Sequence, residues 1–518
     1  MKFLSRRWFF LILPFLLAAV FATPAFAQDG GPTAADVATD VNVMWMIIGG
    51  FLVFFMQAGF ALVETGFTRN KNVAHTMMMN MMVFCIGAIG YWLTGFALQF
   101  GAVNAAYPAV TTAGAVAGEW AHSPITLGDW TGLLATPLLR FGQFGILGGN
   151  GFLLAGLGAN SGILAFFLFQ MVFMDTAATI PTGSMAERLK FSGFVLMGFW
   201  VSMFIYPLVG GWIWGGGWLQ NLGRIAGLGN GAVDFAGSGV VHMIGGAVGL
   251  AGAIVLGPRI GRFNKDGSAN TIPGHSIPLG VLGTIILFFG WFGFNPGSSL
   301  GFTGAFRNLA VIAAANTLMA GAAGGMSAMM YMWLVGPSKK PDPSMSVNGV
   351  LAGLVAITAP CAFVDSWAAV VIGLVAGVIV CWASFLLERL KIDDPVGAVP
   401  VHFFNGIWGV LSVGIFANAN PDTAAWNGME SAVTGLLYGS GTQIIAQLAE
   451  VVAIAVTVVG LSWVVFKILY GMGLMRVSRE VELGGLDMPE MGALGYPKDW
   501  EAGPGAIIYG EGSPLQGK

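Results

Sequence analysis

The chain has 518 residues, of which 56% are hydrophobic and only 9% charged, with a mean hydropathy of +0.77. So few charges cannot cover the surface of a water-soluble fold of this length, so the solvent is largely lipid. A formal net charge of −3 points to no nucleic acid and no strongly charged partner. Cys85, Cys361 and Cys381 lie in apolar segments at unrelated spacings, which makes neither a disulfide framework nor a metal motif.

Residues 1–27 read as a cleaved signal peptide: a basic start at Arg6 and Arg7, an apolar core from Trp8 to Phe21, and Ala25-Phe26-Ala27 as the cleavage site. An uncleaved first helix is the alternative. The mature chain then begins outside the cytoplasm, which points to a bacterial inner membrane. Apolar stretches of bilayer length follow near 45–64, 74–98, 161–184, 192–213, 235–257, 278–296, 307–334, 346–364, 367–388, 398–417 and 441–470. The expected fold is therefore all-α and integral to the membrane, with eleven transmembrane helices. Membrane lipid is one partner.

Positive charge tests the topology. With the N-terminus in the periplasm, the cytoplasmic connections carry Arg69/Lys71, Arg188/Lys190, Arg259/Arg262/Lys265, Lys339/Lys340 and Arg389/Lys391, and the tail adds Arg476 and Arg479. The outer connections carry little beyond Arg140, Arg224 and Arg307. A further span over the apolar patch Phe144–Leu157 would invert every later loop, so that patch is expected to be outer-loop structure. The membrane domain is expected over 28–472, followed by a cytoplasmic tail over 473–518 that is rich in Gly, Pro and Glu and too short for an enzymatic domain.

The chain contains five histidines, and His75, His122 and His275 fall in or near predicted loops. His242 and His402 sit inside apolar helices, in matching surroundings. Asp234-Phe-Ala-Gly237-Ser-Gly-Val-Val-His242 runs on through Gly246 and Gly249, and Asp394-Pro-Val-Gly397-Ala-Val-Pro-Val-His402 runs on through Gly406 and Gly409. Asp, Gly, His, Gly and Gly recur at the same five offsets, which is an internal repeat. The two helices are the fifth and tenth spans and start from opposite faces, so the repeat is inverted: five-helix halves at about 45–257 and 278–417, then a last helix at about 441–470. Inverted halves are a transporter architecture with its site near the bilayer midplane.

Each histidine lies about two turns inside its Asp. Two imidazoles there can share a hydrogen bond and pass a proton while carrying little fixed charge. They can also be a packed pair in a core, although intramembrane ionisable groups default to function. Asp234 and Asp394 head their helices, where a carboxylate can cap backbone N–H groups or lend negative potential to a cation. No nucleophile or metal-ligand set accompanies the histidines, so an enzyme is not expected, nor is a cofactor.

The segment from Asp234 to His242, continuing to Gly257-Pro-Arg259, resembles the signature of the ammonium transporter, methylammonium permease and Rhesus protein family. The similarity runs from Ala61-Leu-Val-Glu-Thr-Gly-Phe-Thr-Arg-Asn-Lys-Asn72 to Gly473-Leu-Met-Arg476. The resemblance implies a homotrimer with one pore per subunit, ammonium or ammonia as substrate, with methylammonium a further candidate, and a small nitrogen-regulatory signal-transducing protein as a cytoplasmic partner. By matched motif, Phe169, Trp214 and Ser298 resemble the outer recruitment site, and Phe173 and Phe294 the pair of rings that gates the pore. Aromatic faces attract a small cation and a hydroxyl can accept an N–H bond, while apolar rings bar hydrated ions. The resemblance implies deprotonation of ammonium near these rings and passage of ammonia along His242 and His402, with a separate proton relay.

The chain departs from the family at Pro296, which precedes Ser298, and at Asp175, which either faces the pore or meets another helix or subunit. Met491 stands where the family's tail often has a histidine. Glu450 in the last span has no evident partner. Two other readings stay open: a sensor that binds ammonium without conducting it, and a Rhesus-like channel for neutral ammonia or carbon dioxide.

Overall fold

A computed structural model describes residues 31–101, 137–141, 144–156, 161–427, 429 and 431–496. The expected signal peptide, His122 and the tail beyond residue 496 lie outside the described residues. The chain divides into two compact units, Met1–Asp40 and Val41–Lys518. In the first, Thr33 and Asp36 cap each other reciprocally, through Thr33 N to Asp36 Oδ2 at 2.8 Å and Asp36 N to Thr33 Oγ1 at 3.2 Å.

Among the described residues ten helices are long and apolar enough to cross a membrane, and one more is apolar but shorter. In chain order they are α1 (Ala34–Phe67), α2 (Asn70–Phe100), α3 (Ser161–Met185), α4 (Phe191–Ile213), α5 (Ser238–Leu256), α6 (Ile277–Gly297), α7 (Gly304–Leu334), α8 (Pro343–Thr358), α9 (Ser366–Arg389), α10 (Val399–Phe416) and α11 (Gln443–Gly471). The chain is a multi-pass helical membrane protein.

The short helix is α8, with 16 residues against the 19 expected over 346–364. Its chain turns at Ala359 and Pro360, where Asn316 of α7 takes over the freed carbonyls: its Nδ2 donates to Cys361 O at 2.8 Å and to Val364 O at 2.7 Å. Nonhelical backbone at membrane depth requires such partners. The apolar patch after residue 144 is not a span. Its described part is a strand, β2 (Phe144–Gly148), paired antiparallel with β1 (Pro137–Phe141), and a short 3-10 turn, Phe152–Leu154.

Lipid supplies no hydrophobic force between helices, so close contact depends on small residues. A Cβ on Gly283 of α6 would stand 2.6 Å from Gly59 O of α1, and one on Gly324 of α7 would stand 2.3 Å from Gly349 O of α8. The approach that matters most for the site joins α5 to α10, where a Cβ on Gly246 would lie 2.4 Å from Phe403 N.

Of the basic residues expected at the cytoplasmic face, Arg69, Arg259, Arg262 and Arg476 are held in ion pairs. Arg259 grips Asp393 through Nε and Nη2 at 2.8 and 2.9 Å, and its Nη1 reaches Glu187 at 3.1 Å. Burial pushes the Asp393 carboxyl up, but the hydrogen bonds and charge of Arg259, with Arg188 behind them, outweigh it and hold it well below the usual carboxylate range. Glu187 is likewise raised by burial and lowered further by Arg259 and Arg69, with a net downward shift.

The described part of the tail docks beside these residues. Lys71 Nζ donates to Glu482 O at 2.8 Å, Leu486 N to Asn72 Oδ1 at 3.0 Å, and Phe191 N to Glu490 Oε2 at 2.9 Å. His75, expected in or near a loop, stands at the start of helix Val73–Gly90, fully buried against Phe191, with its backbone N–H donating to the tail's Asp487. The helix begins right after the Asn70–Asn72 turn, so His75 falls in its first turn.

Candidate functional site

The two repeat segments fold alike. Asp234 Oδ1 accepts from Gly237 N and Ser238 N at 2.8 and 2.9 Å, and Oδ2 from Gly239 N and Val240 N, both at 2.9 Å. Asp394 accepts from Gly397 N at 3.0 Å and Val399 N at 2.7 Å. Gly237 and Gly397 both take positive φ, +108° and +79°, which only glycine adopts freely. After each glycine comes a π-helical turn holding the histidine, Ser238–Met243 and Val399–Phe404. Such turns leave the regular ladder and cluster at functional sites. The two aspartates act here as caps, and four backbone donors engage both oxygens of Asp234.

His242 and His402 meet between α5 and α10, Nδ1 to Nδ1 at 3.2 Å, with ring centroids 5.2 Å apart and planes 28° from parallel. Both are buried. One Nδ1 carries the proton and the other accepts it, so one Nε2 of the pair is an acceptor and the other a donor. His242 Nε2 has no hydrogen-bond partner among the described residues.

The predicted aromatics line up with this pair. Phe169 and Phe173, one turn apart on α3, have centroids 4.6 Å apart. Phe173 stacks on Phe294 of α6 at 4.0 Å and 26°, and Phe294 stacks on His242 at 5.4 Å. Trp214 meets Phe173 edge-on at 6.1 Å and donates its Nε1 to Asp234 O at 2.7 Å, which ties it to the cap of α5. Ser298 Oγ donates to Phe294 O at 2.9 Å. The structure thus brings seven of the predicted residues into one buried column, from Phe169, Trp214 and Ser298 through Phe173 and Phe294 to His242 and His402. Pro296 stays helical within α6, its carbonyl accepting from Trp45 Nε1 and Ser299 Oγ.

Sequence reasoning passed over several neighbours. Trp291 stacks on His242 at 5.2 Å, beside Phe294 at 5.8 Å, and donates Nε1 to Thr358 Oγ1 at 3.0 Å. Phe60 faces His402 at 6.2 Å, and Trp426 Nε1 donates to Ser298 O at 2.8 Å. Trp291 lies one turn before Phe294, a spacing that signals a shared helix face; Trp426 lies in a loop with no such signal. Beyond His402 a cavity of about 30 Å³ is lined by Phe60, Glu64, Ile180, Asn348 and Val401, large enough for one water-sized molecule.

Two acids are placed outside the column. Asp175 is buried with its Oδ1 toward α2, 3.7 Å from where a Cβ on Gly87 would stand. Glu450 Oε2 accepts from Gln447 Nε2 at 3.2 Å, and its Oε1 lies 2.3 Å from where a Cβ on Gly239 would stand. Glycine at 239 is what lets the last helix approach the first turn of α5. No group of metal-ligating side chains is found among the described residues.

A polytopic helical protein with a buried imidazole pair beneath an aromatic stack defines a class, that of membrane proteins handling a small protonatable solute. The chain belongs to the Ammonium Transporter Family, whose profile matches residues 44–496. It is 42% identical over 489 residues to ammonium transporter Amt2 of Archaeoglobus fulgidus, covering 94% of each chain. It is 33% identical over 491 residues to ammonium transporter 1 member 3 of Solanum lycopersicum, covering 92% of this chain and 97% of that one. Among solved structures it resembles a Sensor Amt Protein (TM-score 0.72, 33% identity, 88% of this chain and 99% of that one). It also resembles Mep2 of Candida albicans (TM-score 0.67, 26% identity, 86% and 89%).

Proposed function

We propose that the chain carries ammonium inward by stripping its proton and conducting ammonia along the histidine pair. Phe169, Trp214 and Ser298 recruit the cation at the outer end, where aromatic faces replace part of its hydration. The Phe173–Phe294 stack admits only a solute that has shed its water. A bare cation is costly in an apolar column, so the proton leaves near this stack. Ammonia then passes His242 and His402, whose acceptor and donor nitrogens suit its own N–H and lone pair. The imidazoles relay the proton separately, which makes transport electrogenic, and potassium is refused because it has no proton to give. The observation that carries this reading is the 3.2 Å imidazole contact directly beneath the stacked rings.

The same reading takes the N-terminus as periplasmic after removal of residues 1–27, with a homotrimer in a bacterial inner membrane and a nitrogen-regulatory signal-transducing protein at the basic face. Methylammonium is a further substrate. A sensing role is the second reading, favoured by the likeness to a Sensor Amt Protein over 88% of the chain. The deciding experiment records current across a supported membrane after ammonium and after potassium pulses. A saturable current with ammonium alone supports conduction. Saturable binding with neither current nor electroneutral ammonia flux, read with a pH-sensitive dye, supports sensing.

A further inference from the structure

The column described so far ends at His402, yet a buried carboxyl lies beyond it. Glu64 of α1 is 3% exposed. Asn80 Nδ2 of α2 donates to its Oε2 at 3.0 Å, and Thr182 Oγ1 of α3 lies 2.8 Å from both oxygens. Behind this cradle Thr179 Oγ1 donates to Gln57 Oε1 at 3.1 Å, and Gln57 Nε2 donates to the Asn80 carbonyl. Among the described residues no ion pair involves Glu64.

A glutamine could serve as hydrogen-bonding glue between three helices at lower cost, because an ionisable group without a cation is expensive inside a membrane. What distinguishes Glu64 is its outlook. It lines the same cavity of about 30 Å³ as His402. That cavity shares Asn348, Val396 and Gly397 with a second one of about 470 Å³, which is lined by Asp394, Asp342 and Arg262. The carboxyl therefore stands between the histidine pair and the basic end of the bundle.

We propose that Glu64 is a proton-handling residue of the inner half of the path, exchanging protons with His402 and with ammonia across this cavity. A proton held by the histidine pair passes through one bridging water to the Glu64 carboxylate. The protonated carboxyl then gives it to ammonia arriving in the cavity, which leaves as ammonium and restores the carboxylate. The titratable groups facing Glu64 are His402 across the cavity and Asp394 at the head of α10; α2 and α3 present the neutral Asn80 and Thr182. The inference rests on the conduction reading above.

The test measures ammonium-driven current and ammonium binding for the full chain in supported membranes, in wild type, Glu64→Gln and Glu64→Asp, across a series of pH values. Current is expected to fall about tenfold or more in Glu64→Gln with binding retained, and to persist in Glu64→Asp with a displaced pH profile. Wild-type current and pH profile in Glu64→Gln would overturn the proposal. Absence of current in the wild type sinks the conduction reading itself, a different failure. Should Glu64→Gln not fold, infrared difference spectra on ammonium addition decide. A carboxyl-stretch change that moves in Glu64→Asp supports the proposal, and no change, or one that stays in place, overturns it.

Discussion

His242 and His402 share a hydrogen bond through like atoms, Nδ1 to Nδ1 at 3.2 Å, so the pair has a direction. Whichever ring holds the shared proton presents a lone pair at its Nε2, while the other presents an N–H. Reversing the pair takes three proton movements: one ring gains a proton at Nε2, the shared proton crosses the contact, and the other ring gives up its Nε2 proton.

Replacing either ring removes that reversal. His242→Ala and His402→Ala are expected to lose ammonium-specific current by about a hundredfold, in the range of a lost acid–base group. The space left beneath Phe294 and above Phe60 would admit potassium. Parallel ammonium and potassium pulses check both parts, and an unchanged ammonium response would remove the pair from the mechanism.

The stack of Phe173 on Phe294 at 4.0 Å leaves no gap between the rings. Phe173→Ala and Phe294→Ala are expected to let hydrated potassium through, whereas Phe→Leu at either position keeps the barrier closed. Current ratios for the two ions in the four variants distinguish a steric gate from simple packing. Equal selectivity in all four would argue for packing alone.

Gly246 holds α5 against α10, since a Cβ there would stand 2.4 Å from Phe403 N. Gly246→Ala is expected to cost about 1–3 kcal/mol, as overpacking does, and to part the two histidines. Thermal unfolding in detergent reads the first effect, and reduced ammonium current in the folded fraction reads the second. A variant of normal stability and current would mean that the helices can yield.

At the basic end, removing one partner of a buried ion pair leaves the other uncompensated, at about 3–5 kcal/mol. Asp393→Asn is therefore expected to lower the unfolding temperature clearly. Asp393 and Glu187 have folded-state values below their unfolded ones, so their stabilisation is complete above pH of about 4.5 and is lost as pH falls further. Asp394, raised by burial, acts in the opposite sense. The comparison of wild type with Asp393→Asn isolates the pair, whose acid dependence should shrink in the variant. Identical acid profiles would count against it.

Much of this architecture was legible because bilayer physics writes itself into local sequence. Helices that must cross about 30 Å of hydrocarbon need long apolar runs, and ten such helices stand where runs were read. The repeated Asp-Gly-His pattern around Asp234 and Asp394 was visible because a cap, a positive-φ glycine and an inward histidine each demand one residue type at one spacing. The short α8 was misjudged in length, since its end is set by Asn316 on another helix. The burial of His75 is not legible in the sequence, because the tail that covers it lies some 400 residues away along the chain.

Composition and pattern by themselves determined that this is a polytopic helical membrane protein with two matched histidines, because those properties follow from the solvent and from neighbours within one helix. Only the tertiary structure decided that the imidazoles touch through Nδ1, that Asp234 is saturated as a cap, that Asp175 faces α2, and that Glu64 shares a cavity with His402. Each of these relations joins side chains from different helices or depends on a rotamer, and no single helix encodes which of its polar residues will find a partner across the bundle.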